Sequence, residues 1–338
     1  MTQTQSAVRG GDDSSAPARG DRKDRAPRPS RSLPTWSLPY FLLLPGLAVI
    51  AALLIYPLFQ MVVMSFQKVG IRQVRGAPAE FVGTDNYRQI LENPLFWSSL
   101  RNTVFFAVAA VSLTLILGTL VGLLIHRLGK KMANTVIVGI IAAWAVPPVA
   151  AAIIWRWLFD AEQGIINWAL NFLPDWLSQL LFGRSDWTGE PWLNDPLTIY
   201  LVLVVMVVWQ SFPFVAVSVL AGLKSIPTSL YEAARVDGAT PVRIFRKITF
   251  PMLKPVFAVL TVLSIIWDFK VFGQLYVLMS GPTNRDALNL SLFSFAEAFR
   301  SPPKMGTGAA IAVVLTLILL IVTLIHIRQI VKQEDDIR

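Results

Sequence analysis

The sequence predicts an all-α membrane protein with six transmembrane helices, and three observations carry that expectation. The 338 residues are 54% hydrophobic and only 15% charged, whereas soluble domains carry nearer a quarter charged residues; the mean hydropathy is +0.56. The apolar residues gather into runs that reach the length of a bilayer crossing, about 20 residues of helix. The basic residues collect in alternate connections between those runs, the bias that orients membrane proteins.

Residues 1–35 are rich in Arg, Ser, Pro, Gly and Asp without apolar periodicity, which predicts a disordered tail. A signal peptide is not expected, because the first apolar run starts too late and is too long for one. Arg22-Lys23-Asp24-Arg25 reads as a solvated anchor for the first helix rather than a targeting or nucleic-acid patch. Five uncharged runs then follow the tail: Ser32–Gln67, Asn102–Ile125, Met132–Trp155, Pro196–Leu223 and Met305–Ile325. A sixth, Pro255–Pro282, has the length but carries Asp268 and Lys270. The expected domain is therefore 36–330, with spans near 40–65, 102–126, 134–156, 197–222, 256–280 and 305–327, followed by a short tail, 331–338.

Placing the N-terminus in the cytoplasm leaves 19 Lys and Arg residues in the inner segments and 10 in the outer loops. Both termini are thus expected inside, as an even number of spans requires. The outer segment 156–195 holds six acidic and two basic residues together with several Trp, a residue suited to the membrane–water boundary.

Several function classes are excluded or disfavoured. No cysteine is present, which removes disulfides, thiol catalysis and zinc–thiolate sites. The two histidines, His126 and His326, stand at the ends of apolar runs and cannot build a multi-His metal site. The net charge of +9 is spread over loops beside apolar runs, which points to anionic lipid headgroups and not to nucleic acid. No span carries the paired acid/base or nucleophile/base set of an intramembrane enzyme. No Gly-x4-Gly-Lys-[Ser/Thr] phosphate loop is present, so the chain is not expected to be an ATPase of that kind.

The inner connection 224–254 specifies two short helices. Ser229-Leu230-Tyr231-Glu232 fits a capping box, after which Leu230, Ala233, Ala234 and Asp237 share one helical face. Gly238 stands where a helix ends in a left-handed residue. Thr240-Pro241 reads as an N-cap followed by a first-turn proline; Arg243, Arg246 and Lys247 line the second helix, and Pro251 is expected to break it. Small residues on one side allow close approach to another protein. The alternative is an amphipathic helix on the lipid surface, but such helices favour bulky apolar faces and lysine-rich polar ones.

Glu232-Ala233-Ala234, three residues, Gly238, nine residues and then Ile248-Thr249-Phe250-Pro251 resembles the EAA loop of binding-protein-dependent ABC import permeases, with Phe250 where leucine is usual. Phe81-Val82-Gly83-Thr84-Asp85-Asn86-Tyr87, followed by Phe96-Trp97 and Asn102-Thr103, resembles the entry to the second helix of carbohydrate permeases of the maltose, glycerol-3-phosphate and trehalose type. Tyr276–Pro282 resembles the end of their fifth helix, with Ser280 where glycine is common. The similarity covers roughly residues 36–330. It implies a type I importer permease fold in a bacterial inner membrane, with an EAA coupling helix that docks on a separate ATPase. Glu232, Ala233, Ala234 and Gly238 take that role, with Arg235 and Asp237 as further contacts. The implied partners are two ATPase copies, a second homologous permease and an extracytoplasmic solute-binding lipoprotein. No cofactor is expected on this chain; ATP and Mg2+ belong to the ATPase.

Ionisable groups within a span are costly and usually face a cavity or a partner. On a regular helix Asp268 and Lys270 diverge by about 200°, while Gln274 shares the face of Lys270 and lies two turns from Trp267. Hydrogen-bonding groups beside an aromatic ring suit a sugar; equally, they suit contact with the neighbouring permease. Trp209, Gln210 and Ser211 precede Pro213 in the fourth helix, where a proline permits a kink and marks a gate or cavity wall. Pro147-Pro148 suggests a break in the third. The expected solute is a sugar, such as trehalose, maltose or a sugar phosphate. A non-carbohydrate solute and an ATP-independent secondary carrier are the alternatives; the carrier leaves the 224–254 loop unexplained.

Overall fold

The computed structural model describes residues 38–335, with side chains from Leu42 to Arg328; the expectations for residues 1–35 and for the last three residues lie outside them. The chain divides after Ile55 into two units. The first contains α1 (Leu38–Ile50), with Pro45 inside it, and a π turn, Ala51–Ile55.

The second unit opens with α2 (Tyr56–Ser65) and a small antiparallel pair, β1 (Gln67–Lys68) with β2 (Glu80–Phe81), separated by α3 (Ile71–Val74). The helices α4 (Asp85–Glu92), α5 (Pro94–Arg127), α6 (Lys130–Trp144) and α7 (Pro148–Leu158) follow. Two short helices, α8 (Ile165–Leu170) and α9 (Asp175–Phe182), lead to α10 (Pro196–Ser225). Then come α11 (Thr228–Val236), α12 (Pro241–Ile244), a π turn at Phe245–Thr249, α13 (Phe250–Phe269), α14 (Gly273–Leu278), α15 (Leu290–Phe299) and α16 (Met305–Asp335).

Among the described residues, five helices are long and apolar enough to cross a membrane: Leu42–Ser65, Pro94–Arg127, Pro196–Ser225, Pro241–Phe269 and Met305–Arg328. The pair α6 and α7, bent by 90° at the break, makes the sixth when counted as one span. The spine of the second unit is α5 against α10. A Cβ on Gly118 would lie 2.5 Å from the Val215 side chain and 3.0 Å from the Phe212 carbonyl oxygen, so only a hydrogen lets the two backbones approach this closely. Around the spine, Phe106, Ile199, Leu203 and Met206 form the main core with Leu275, Leu288 and Phe293. A smaller core joins Val215, Val219 and Leu223 to Leu253 and Leu260.

Two expectations for the fifth span are corrected. Pro251 does not break the helix: Pro241–Phe269 runs through it. The proline lacks an N–H and its ring crowds the preceding turn, and the chain accommodates this with the π turn just upstream, where Phe250 N–H donates to the Phe245 carbonyl. The span also ends earlier than expected. Regular helix stops at Phe269, Lys270 to Phe272 form an interruption, and Gln274 belongs to the separate α14.

Candidate functional site

The connection between α10 and α13 projects as α11, a helix that buries none of its residues in its own chain. Its start corrects the capping-box expectation. Pro227, at φ −58° and ψ 131°, takes the N-cap place, the helix begins at Thr228, and no side chain caps it. Ser229 is therefore already inside the helix, and Glu232 is exposed instead of folding back. The other end forms a complete Schellman motif. Ala239 N–H donates to the Ala234 carbonyl at 2.9 Å and Gly238 N–H to that of Arg235 at 3.1 Å, with Gly238 at φ +70°, satisfying carbonyls that a helix end otherwise leaves free. Thr240 caps α12, its hydroxyl accepting from Arg243 N–H at 3.4 Å. Glu232, Ala233, Arg235, Asp237 and Gly238 are exposed and Ala234 is half-buried. Val236 is 87% exposed. Tyr231 fixes the base of the helix: its hydroxyl lies 3.3 Å from that of Thr249, the last residue of the π turn, and the side chain packs against the smaller core.

The polar and aromatic residues singled out within the spans separate into two groups. Gln210 belongs to the break in the third span. Pro147 and Pro148 supply no N–H, and the Val146 carbonyl beside them accepts from Gln210 Nε2 at 2.7 Å. Gln210 therefore satisfies backbone that a bilayer interior would leave unpaired. Trp209 sits near Trp155 of α7, ring centroids 5.9 Å apart. The second group is an aromatic patch at the same bend. Trp144, the last residue of α6, stacks on Phe214 at 5.9 Å, and Phe214 meets Trp267 edge-on at 5.4 Å. Trp267 remains 42% exposed.

The face expected for Lys270, Gln274 and Trp267 does not form, because the helix ends between them. Lys270 is exposed, and Gln274 and Ser211 are half-buried. Asp268 is 4% exposed and makes no ion pair or side-chain hydrogen bond among the described residues. Trp144, Phe214 and the Val146 carbonyl complete these clusters and were not singled out from sequence. Their signal was positional: Trp144 stands three residues before a double proline and Phe214 immediately after Pro213.

The run Val82–Tyr87 is a fastening. Asn86 Nδ2 donates to the carbonyls of Ser65 at 2.9 Å and Gln67 at 3.0 Å, and its Oδ1 accepts from the Thr307 hydroxyl at 3.3 Å. The Tyr87 and Ser65 hydroxyls lie 2.6 Å apart. Asn102 donates to the carbonyls of Asp286 and Leu288, and the Thr103 hydroxyl accepts from Leu290 N–H at 2.9 Å. These residues tie α2, α5, α16 and the 286–290 strap together.

Among the described residues, α11 thus touches the rest of the chain at its base, through Tyr231, and leaves the remainder of its surface open. Residues 115–333 match the family model described as binding-protein-dependent transport system inner membrane component. The chain belongs to that family. Among similar members of these inner membrane components, the diacetylchitobiose uptake system permease protein DasB of Streptomyces coelicolor is 38% identical over 88% of each chain. The trehalose/maltose transport system permease protein MalF of Thermococcus litoralis is 33% identical over 86% of this chain and 92% of its own length. The sulfoquinovosyl glycerol transport system permease protein SmoG of Agrobacterium fabrum is 30% identical over 90% and 96%. A chain in the crystal structure of a bacterial alginate ABC transporter shares the fold, with a TM-score of 0.72 over 87% of this chain and 95% of its own, at 20% identity.

Proposed function

We propose that this chain is one of two permease subunits of an ATP-driven importer for a sugar of disaccharide size, delivered by an extracytoplasmic binding protein. The observation that carries the proposal is α11. It ends in a Schellman turn, is tied at its base by Tyr231, buries none of its residues, and carries Glu232, Ala233, Arg235 and Val236 to its exposed surface. A separate ATPase, using ATP and Mg2+, seats on it, and both chain termini lie on that cytoplasmic side. The names of the relatives support a carbohydrate solute. So does the aromatic patch Trp144–Phe214–Trp267, whose rings suit the apolar C–H faces of a sugar ring.

The test is affinity purification of the tagged chain in mild detergent, with mass spectrometry of what accompanies it. Recovery of an ATPase, a second six-span permease and a lipid-anchored binding protein is expected. Calorimetric titration of that binding protein with di- and oligosaccharides should then give saturable heat with at least one of them. A chain that comes alone and transports in liposomes without ATP overturns the proposal.

A further inference from the structure

The segment 160–195 is a folded lobe at the N-terminal end of α10, opposite the end that leads into α11. Its interior is polar and aromatic. Asn167 is buried, accepts at Oδ1 from Trp192 Nε1 at 2.6 Å, and donates to the Ala161 and Glu190 carbonyls. Ser178 is fully buried, donates to the Arg184 carbonyl at 2.6 Å and accepts from Trp187 Nε1 at 2.9 Å. Trp187 and Trp192 stack at 5.4 Å, and Arg184 pairs with Glu190 while lying over the Trp187 ring.

The exterior carries the exposed acids Glu162, Asp175 and Asp186, and beside them a broad apolar face. Trp168, Phe172, Trp176, Leu180 and Leu181 are each between 60 and 74% exposed. Trp168 and Phe172, one turn apart, touch edge-on at 4.6 Å. Trp176 and Leu180 repeat that spacing on α9, on the side away from Ser178. A helix that turns serine inward and tryptophan and leucine outward is built for an apolar cover.

We infer that this face of α8 and α9 lies in the headgroup region of the bilayer leaflet opposite α11, as an interfacial anchor for the bent third span. The occupant is lipid because the face continues a lipid-facing one: α7 leads directly into the lobe and exposes Ile153, Ile154 and Trp157. A relay of rings joins the two without a gap, from Trp155 to Phe159 to Trp192 to Trp187 to Phe182, with successive centroids 5.1–5.9 Å apart. The residues themselves are those of the interface, Trp and Phe beside Leu, with no charged side chain among the five. Trp209 touches the first ring of the relay, so the anchor holds the outer arm of the break against α10. The inference needs only that the chain spans a membrane and stands whatever solute or ATPase partner is found.

The absence of cysteine makes the test direct. Leu180→Cys, Leu181→Cys and, as the polar reference, Glu162→Cys each carry a nitroxide label, with the full transporter reconstituted in vesicles of phosphatidylcholine and phosphatidylglycerol. Power-saturation spectra should show labels at 180 and 181 several-fold more accessible to oxygen than to a water-soluble nickel chelate, with the ratio reversed at 162. Nickel accessibility at 180 and 181 equal to that at 162 overturns the inference, because the face then lies in water. So does shielding from both reagents, because a protein then covers it. All three positions are exposed, so the substitutions leave the buried network of the lobe intact.

Discussion

Gly238 and Gln210 each perform a backbone duty that their surroundings define. At Gly238 a Cβ would meet nothing within 4 Å, yet φ is +70°, so the requirement is conformational and not steric. Gly238→Ala should raise the cost of the Schellman turn by about 1–2 kcal/mol, loosen the end of α11 and reduce co-purification of the ATPase several-fold. Gly238→Asn, which tolerates the left-handed region, should restore most of it. Equal ATPase recovery from all three proteins would show that the turn does not govern docking. Gln210→Leu leaves the Val146 carbonyl without its donor, a loss of about 1–3 kcal/mol for a buried group. Thermal unfolding of the purified complex should therefore shift downward by several degrees while the KM for solute stays within twofold. A raised KM at unchanged Tm would instead put Gln210 on the solute path.

At the scale of elements, the motif Val82–Tyr87 carries a lesson about what sequence patterns mean. It resembles a carbohydrate-permease signature, and its side chains lock α2, the β1–β2 pair and α16 together. Asn86→Leu removes three hydrogen bonds at once and should destabilise the complex by about 2–3 kcal/mol, read as a lower denaturation midpoint, without changing which sugars compete for uptake. Altered sugar selectivity at unchanged stability would contradict a fastening role. The same contrast explains what was legible in advance. The number of apolar runs, the break at Pro147-Pro148, the left-handed end at Gly238 and the Thr240-Pro241 start all follow from local rules of hydropathy, proline and glycine. The continuity through Pro251 and the interruption after Phe269 do not. A π turn upstream and the loss of helix at Lys270 depend on packing that one stretch of sequence does not encode. The capping box failed for a local reason, since Pro227 started the helix before Ser229 could cap it. Of the residues singled out within the spans, Trp209, Gln210 and Trp267 lie near the bend, but their partners come from other helices, which local patterns do not name.

At the scale of the second unit, α10 joins α11, the broken span and the aromatic lobe. Its C-terminal end leads to α11, its middle carries Gln210 and Phe214 beside the broken span, and its N-terminal end emerges from the aromatic lobe. A displacement imposed on α11 reaches the break most directly if α10 moves as a rigid rod against α5, and Gly118 is a point where the two helices approach closely. Gly118→Ala places a methyl 2.5 Å from Val215, and overpacking of this kind costs about 1–3 kcal/mol. Uptake should fall more than assembly does, because the helices separate beside Pro213 and Gln210 while the exposed surface of α11 is untouched. Val215→Ala in the same chain removes the opposing side chain, so the double variant should recover both thermal stability and uptake beyond the sum of the two single effects. That coupling is expected only of residues in direct contact. Additive losses in the double variant would mean that the two helices are not packed through this point and that motion reaches the break by another route, through α13.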